Sequence, residues 1–362
     1  MIKQLVNREF PLLLAPLAGV SDSPFRSVCY QNGADLCYVE MLSATALNYR
    51  NKKTLSMMRR DEQEPRLGVQ LTAADAETMA KAVEYLNSLA MFETIDINMG
   101  CPVNKVVKAG CGSALLKDAE LVYGVTKAAC QASSIPVSVK IRLGWDHQSK
   151  NYLEVASAIE SAGAKWLTVH GRTRSDDYSQ FVDLSALAQI KRSISIPLIG
   201  NGNLFSPADV EQMRSLTMVD GVMISRGSLG NPWIFRDIKA SEAGEASQML
   251  SLADWWQGVS THIDKQASAY QDGNLGAICM RKHLLWYVKG WPGARKIRQV
   301  LSQINNLTEA KNYLAEFVEK LSREFVDGIA RSADDSDTQE NRFNWDPKWQ
   351  MDRELDRGVG DI

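Results

Sequence analysis

The stretch TIDINMGCPVNKVVKAGCGSALL, residues 94–116, carries the side chains best placed for chemistry. Ile95 and Ile97 alternate with Asp96 and Asn98, the pattern of a buried strand. Proline donates nothing to a sheet ladder and holds the residue before it extended. Cys101, between Gly100 and Pro102, is therefore expected where a strand gives way to a loop, within reach of a ligand. A free thiol has a pKa near ~8.5, so at neutral pH it is mostly protonated and can donate a proton. Lys105 and Lys108 follow in the next turn. After them come Gly110-Cys111-Gly112 and a helix expected from Ser113.

Polar groups recur in the same way at the ends of other apolar runs. The first run leads into Ala15-Pro16-Leu17-Ala18-Gly19. The second ends in Glu40 and the third in Gln70. Lys140 and Arg142 lie on the fifth, and His170, Arg172 and Arg174 follow the sixth. The seventh ends in Asn201-Gly202-Asn203 and the eighth in Ser225-Arg226-Gly227. One such group alone is a satisfied side chain at a strand end. Together they point to a shared site.

The elements that must position these groups are short, near-continuous apolar runs at 12–17, 36–41, 67–71, 94–99, 137–143, 167–170, 198–201 and 222–225. Helical periodicity fills the connections, as in AETMAKAVEYLNSLA (76–90). Strands buried on both faces and joined by crossover helices form parallel sheets. Eight units point to an α/β fold, a closed (β/α)8 TIM barrel, whose chemistry sits at the carboxyl ends of the strands. An open Rossmann sheet is the competing arrangement, but no GxGxxG follows the first run.

At 362 residues the chain exceeds one barrel of ~250. After Trp233 the alternation stops, and 240–250 reads as a polar linker. Residues 1–240 are assigned to the barrel, 241–330 to a small all-helical domain and 331–362 to an acidic, polar tail expected to be disordered. Net charge is −2, so no diffuse field draws nucleic acid, and any RNA binding must come from a local patch. Such a patch exists. Arg281, Lys282, His283, Lys289, Arg295, Lys296 and Arg298 fall in an acid-free segment, 273–308, interleaved with Trp286, Tyr287 and Trp291. Basic and aromatic residues together suit phosphates and bases. The amino terminus has no long apolar run, so neither a signal peptide nor a membrane anchor is expected. The six cysteines form no CxxC, which argues against a zinc site or a disulfide framework and fits a reducing cytosol.

The chain resembles the tRNA-dihydrouridine synthases, an FMN-dependent family, and is most similar to its bacterial B-type branch. The resemblance rests on LAPLAGVSDSPFR (14–26), DINMGCPVNKVVKAGCGSALL (96–116), VKIRLGW (139–145), VHGRTR (169–174), NGNLFSP (201–207), RGSLGNPWIF (226–235) and RKHLLWYVKGWPGA (281–294). It implies an FMN-binding barrel, a helical tRNA-binding domain, NADPH or NADH as reductant, and a monomeric cytoplasmic protein without a metal. Residue by residue, it places Pro16, Leu17, Ala18, Gln70, Lys140 and His170 against the flavin. Asn201, Gly202, Asn203, Ser225 and Arg226 fall on its phosphate loops. Asn203 and Ser225 stand where the family often has Asp and Gly. The implied reaction delivers hydride to C6 of a flipped-out uracil and a proton to C5, and Cys101 is the acid. Glu40, Asn98 and Arg142 are the implied contacts to the uracil. Arg172, Arg174, Lys105 and Lys108, with Arg281, Lys282, Arg295 and Arg298 of the helical domain, are the implied contacts to the tRNA backbone.

Three other readings remain. A flavin barrel of the dihydroorotate dehydrogenase type reduces a free pyrimidine and has no use for a basic helical domain. An aldolase-type barrel uses Lys140 as a Schiff base and is colourless. A tRNA chaperone without catalysis has no need of Cys101 and Lys140.

Overall fold

The computed structural model describes residues 1–245, 250–271, 273–291 and 293–332, with side chains to residue 323. The expectation for the acidic tail, from 333 onward, lies outside these residues. The described chain divides into two compact units. One comprises Met1–Ser228 with Trp233–Lys239, and the other Leu229–Pro232 with the helices after Ala240.

The first unit is a (β/α)8 barrel. Its strands are β1 (Leu12–Leu14), β2 (Leu36–Tyr38), β3 (Leu42–Ser43), β4 (Leu67–Thr72), β5 (Thr94–Met99), β6 (Val137–Arg142), β7 (Leu167–His170), β8 (Leu198–Asn201) and β9 (Gly221–Ile224). Every pairing is parallel, and β2 joins β4 while β1 joins β9, so the sheet closes on itself. The two-residue β3 adds only to the end of β4, with Leu42 opposite Leu71.

Two expected strands stop three residues short of their apolar runs, for visible reasons. The run 12–17 ends as strand at Leu14. Ala15 N–H makes one last bond to Ile224 O at 2.8 Å, Pro16 has no donor, and Leu17 N–H turns to Ser21 Oγ at 2.8 Å. The run 36–41 breaks after Tyr38, where Glu40 swings its carboxylate to accept from Gly19 N–H at 2.5 Å. The helix expected from Ser113 starts later. Gly112–Lys117 is a 3-10 turn, and the crossover helix Ala119–Ala132 begins once Asp118 accepts from Leu121 N–H at 3.1 Å.

The lower core of the barrel is apolar. Leu13, Leu36, Tyr38, Trp166, Ile199 and Met223 pack together there with Ile2 and Val6. The last two lie one turn apart on the helix Ile2–Val6, which plugs the amino-terminal end of the barrel. The outer helices bury one stripe each. On Ala76–Leu89 it is Met79, Ala82, Val83 and Leu86, the 3.6-residue spacing of an amphipathic helix. Their starts are capped: Asp75 accepts from Thr78 N–H at 2.8 Å and Ser206 from Asp209 N–H at 3.2 Å, each worth about 1 kcal/mol.

The second unit is built from the helices Leu252–Ala269, Gly273–Tyr287, Ala294–Leu301 and Leu307–Ser332. Trp255 and Trp291 stack in its core with ring centroids 4.6 Å apart, and Tyr287 bonds His262 Nδ1 at 3.0 Å. No helix among the described residues is long and apolar enough to cross a membrane.

A buried ion pair ties the helix Ser23–Gln31, which follows β1, to the segment before β4. Arg26 and Glu64 are 1% and 2% exposed, with Nε to Oε1 at 2.6 Å. Arg26 also donates to Ser21 O at 2.8 Å and Arg59 O at 2.6 Å, and Glu64 accepts from Ser23 Oγ and Asp61 N–H. Removing one partner strands the other charge in the interior. Glu64→Ala should therefore cost about 3–5 kcal/mol in urea unfolding, against well under 1 kcal/mol for the exposed Glu77→Ala, whose Lys81 partner is also exposed. Equal small losses would mean the buried pair holds nothing.

Candidate active site

The end of β5 places Cys101 where the sequence expects it, half-buried and past the last ladder residue. Its loop is closed on itself. Cys101 O accepts from Ser113 N–H at 3.1 Å and Ser113 Oγ at 2.9 Å. Gly112 allows this approach. It sits at φ +61°, and a Cβ there would lie 2.8 Å from Cys101 O. Gly112 N–H donates to Thr72 Oγ1 at 3.2 Å, fastening the loop to the end of β4. Burial raises the Cys101 pKa; a backbone bond at Val103, Arg142 and Lys140 act against that rise. The thiol therefore holds its proton at neutral pH.

Beneath Cys101 the barrel interior turns polar. Asp96 is fully buried and accepts from Ser138 Oγ at 2.6 Å and Gln70 Nε2 at 2.7 Å. Gln70 Oε1 accepts from Asn98 Nδ2 at 2.9 Å. Burial lifts the Asp96 pKa to about 6, with Ser138, Gln70 and Lys140 pulling the other way.

The ends of β6 to β9 supply the cations. Lys140 Nζ donates to Asn201 Oδ1 at 3.0 Å, and Asn201 Nδ2 to Met223 O at 2.7 Å. Burial first, then Arg142, brings the Lys140 pKa down to about 8. Burial and the neighbouring Arg226 and Arg142 bring Arg172 down to about 10. His170 is held well below its usual range by burial and by Arg142, Lys140, Arg172 and Arg226, so it is neutral. Its Nε2 lies 3.1 Å from Arg172 Nη1, which can only donate. Nε2 is therefore the acceptor, and the proton sits on Nδ1. Asn203, at φ 51°, accepts on one oxygen from Arg172 at 3.1 Å and Arg226 at 3.3 Å.

Every cation here has its charged form disfavoured or shares a neutral acceptor, and four cations face two carboxylates, Asp96 near Lys140 and Asp176 near Arg142 and Arg172. Such a cradle fits a dianion, and the turn at Gly202–Asn203 beside Ser225–Arg226 has the form of a barrel phosphate site. The residues thus fit the phosphate of a flavin mononucleotide, with Pro16, Leu17 and Ala18 at the carboxyl end of β1 and Gln70 and Lys140 on the strands below the rim.

Several expected contacts are committed elsewhere. Arg172 is 1% exposed; it donates to Gln180 O and Tyr178 O and braces the loop after β7, so it does not face a polymer backbone. Arg142 is buried and donates to Thr173 O at 2.7 Å. Glu40 holds the Gly19 turn. Arg281 donates to Ile304 O at 2.8 Å and to Asn305. Tyr287 and Trp291 are core residues, not exposed stacking surfaces, and Trp286 is half-buried against His283. By contrast, the side chains of Lys282, Arg295 and Arg298 have no partner among the described residues. Arg174 lies over the Trp145 ring at 4.4 Å, with Lys117 also over that ring at 3.6 Å. Sequence reasoning missed Trp145, Lys117, Ser138 and Asp96. For Asp96 a signal existed: it shares a strand face with Asn98, two residues on.

A family model described as dihydrouridine synthase (Dus) matches residues 13–325. The tRNA-dihydrouridine synthase B of Pseudomonas syringae pv. tomato is 39% identical over 302 residues, 83% of this chain and 88% of that protein. The probable tRNA-dihydrouridine synthase 1 of Synechocystis is 36% identical over 310 residues, 85% of this chain and 86% of that one. Among solved structures, histamine dehydrogenase from Rhizobium sp. 4-9 superposes with a TM-score of 0.51 at 11% identity, over 71% of this chain and 49% of that one. At that identity the likeness is one of fold.

The cradle predicts a sharp contrast between two glycines. At Gly202, φ +120°, an added Cβ would lie 2.8 Å from Val182 Cγ2 and 2.9 Å from His170 Cδ2. At Gly124, on the helix Ala119–Ala132, it would meet nothing within 4 Å. Gly202→Ala should lower stability by about 1–3 kcal/mol, and Gly124→Ala should raise it by about 1 kcal/mol, both read by urea unfolding. Equal effects would show that the β8 turn is not strained as drawn.

Proposed function

The chain belongs to the dihydrouridine synthase family, and we propose that it reduces uridines in tRNA to 5,6-dihydrouridine with NAD(P)H, acting as a monomeric cytoplasmic flavoprotein. The observation that carries this reading is a protonated thiol at the end of β5 beside a cationic cradle formed at the ends of β6 to β9. FMN, when bound, would supply the hydride chemistry that links NAD(P)H to C6 of the uracil ring. Lys140, Asn201, Gly202, Asn203, Ser225, Arg226 and the neutral His170 would hold the cofactor, with Gln70 on the side of its ring.

Protein groups do the rest. Negative charge develops on the uracil as hydride arrives at C6. Lys140 and Arg142, the cations nearest the thiol, stabilise it. Cys101 gives its proton to C5. The C5–C6 double bond is thereby reduced, and the thiolate left behind is neutralised by a solvent proton. Asn98 orients the base with the second N–H of its amide, the first being given to Gln70. The target nucleotide must leave its stack to reach a barrel mouth. Lys105, Lys108 and Arg174 at the rim, with Lys282, Arg295 and Arg298 of the helical domain, contact the RNA backbone.

The deciding experiment is position-resolved mapping of dihydrouridine in tRNA from cells with and without the gene. No change at any position would end this reading. Two variants test its parts. Cys101→Ala should keep flavin content and NAD(P)H oxidation but slow tRNA reduction roughly 10²- to 10⁴-fold, the range for one general acid. Cys111→Ala should do far less, because its thiol faces Ala109 O at 3.5 Å in the turn beyond. Equal losses from both would mean the acid is misassigned.

The helical domain gives the second test. Each phosphate neutralised on a single strand adds about −0.7 to the log–log salt slope of binding. Changing Lys282, Arg295 and Arg298 together to Ala should flatten the slope for tRNA by roughly two units while flavin content stays normal. A folded triple variant with an unchanged slope would move RNA binding off this surface.

A further inference from the structure

Asp96 heads a chain of hydrogen bonds that ends on the backbone of the reactive cysteine. Asp96 Oδ2 accepts from Gln70 Nε2 at 2.7 Å. Gln70 Oε1 accepts from Asn98 Nδ2 at 2.9 Å. Asn98 Oδ1 accepts from two backbone groups, Gly100 N–H at 3.1 Å and Cys101 N–H at 2.9 Å. Every link runs in one direction.

That direction is set at both ends, by loop N–H groups that only donate and a carboxylate that only accepts. Gln and Asn side chains are nearly symmetric in shape, and each can turn its amide over by 180°. An ionised carboxylate cannot, because it only accepts. With Asp96 at the head, Gln70 must present Nε2 to it, which aims Oε1 at Asn98. Asn98 must then present Nδ2, which leaves Oδ1 for the loop. Invert Asn98 and its NH₂ faces the Gly100 and Cys101 N–H groups, donor against donor; invert Gln70 and its oxygen faces the Asp96 carboxylate, acceptor against acceptor. An unmet donor in the interior costs about 1–3 kcal/mol, enough to set the orientation. Ser138 Oγ, at 2.6 Å, holds the other oxygen of Asp96. The nearby Lys140 charge helps keep the carboxylate ionised.

We propose that Asp96 is a positioning residue for the proton transfer: its acceptor-only carboxylate fixes the Gln70 and Asn98 amides and so holds the Cys101 backbone where its thiol can reach the substrate. This rests on the reading of Cys101 as the proton donor. Asp96 itself, buried under two side chains, touches neither substrate nor cofactor phosphate.

Asp96→Asn tests it. The substitution keeps the shape but presents either an oxygen or an NH₂ to Gln70, so the chain loses its charged anchor and the fixed sense at its buried end. In the flavin-loaded protein, backbone amide exchange across 99–103, followed by mass spectrometry, should rise about tenfold, the worth of one hydrogen bond. The kcat for tRNA should fall roughly 10- to 100-fold with KM changed less than about threefold, as for an effect confined to the reacting geometry. Ser138→Ala removes a donor from the same carboxylate without touching the chain, and it should leave exchange at 99–103 and kcat near wild type. A residue that merely supports the fold would lower stability in both variants without this local exchange or this split. A folded Asp96→Asn protein with wild-type exchange at 99–103 would overturn the proposal. Should Asp96→Asn not fold, Gln70→Glu sets acceptor against acceptor at the same link, and unchanged exchange there would overturn it equally. If exchange rises on substitution while the wild-type protein leaves uridine unreduced, the functional reading fails instead, and the role in proton transfer fails with it.

Discussion

Charge imbalance at the carboxyl-terminal mouth of the barrel governs much of this structure. Lys140, Arg142, Arg172 and Arg226 converge there on the buried His170, with Asp96 near Lys140 and Asp176 near Arg142 and Arg172 as the carboxylates among them. Two like charges about 6 Å apart repel by roughly 3 kcal/mol at an effective dielectric of about 20. The arrangement persists because each cation is held by neutral oxygens: Lys140 by Asn201, Arg142 by Thr173 O, Arg172 and Arg226 by Asn203. Neutral acceptors steady the cations without cancelling them. The uncancelled charge is what a phosphate and a developing enolate both need, so one device serves binding and chemistry.

Closure of the parallel sheet makes such convergence possible. The four cations come from the ends of β6 to β9, spread over some eighty residues of chain. The β1–β9 pairing brings them round to the side of the barrel that carries Gly19 and Glu40. Helix Ile2–Val6 seals the opposite end with apolar contacts, so the interior is graded from Leu13, Ile199 and Met223 below to Asp96, Gln70 and Ser138 above. The apolar floor excludes water from beneath the polar layer. That lowers the local dielectric and strengthens each hydrogen bond on the way to Cys101.

What could be read from the sequence was whatever local pattern determines. The strands Thr94–Met99, Leu167–His170 and Leu198–Asn201 match their apolar runs residue for residue. Cys101 was legible because Pro102 ends a strand on chemical grounds. The second strand was misjudged because Glu40 leaves the ladder for Gly19, a partner more than twenty residues away. The plug Ile2–Val6 is too short to show periodicity. Arg172 looked like an outward phosphate contact because nothing in HGRTR reveals that carbonyls of its own loop, at Tyr178 and Gln180, surround its guanidinium. Tyr287 and Trp291 belong to a basic segment by composition and to the core by packing, and only three dimensions separate the two.

Asp96 marks the boundary between the two kinds of legibility. Its place in a strand is a matter of period two, and its ionised state at neutral pH follows from Ser138, Gln70 and Lys140 around it. Its influence on Cys101 follows from neither. It depends on two amides that have no preferred sense of their own and take one from the groups at the two ends of the row. A carboxylate at the buried end enforces the sense that the loop N–H groups demand, whereas an amide or a hydroxyl would accept either one. The barrel thus tolerates a buried charge whose desolvation opposes folding, and gains a loop whose backbone has only one way to sit.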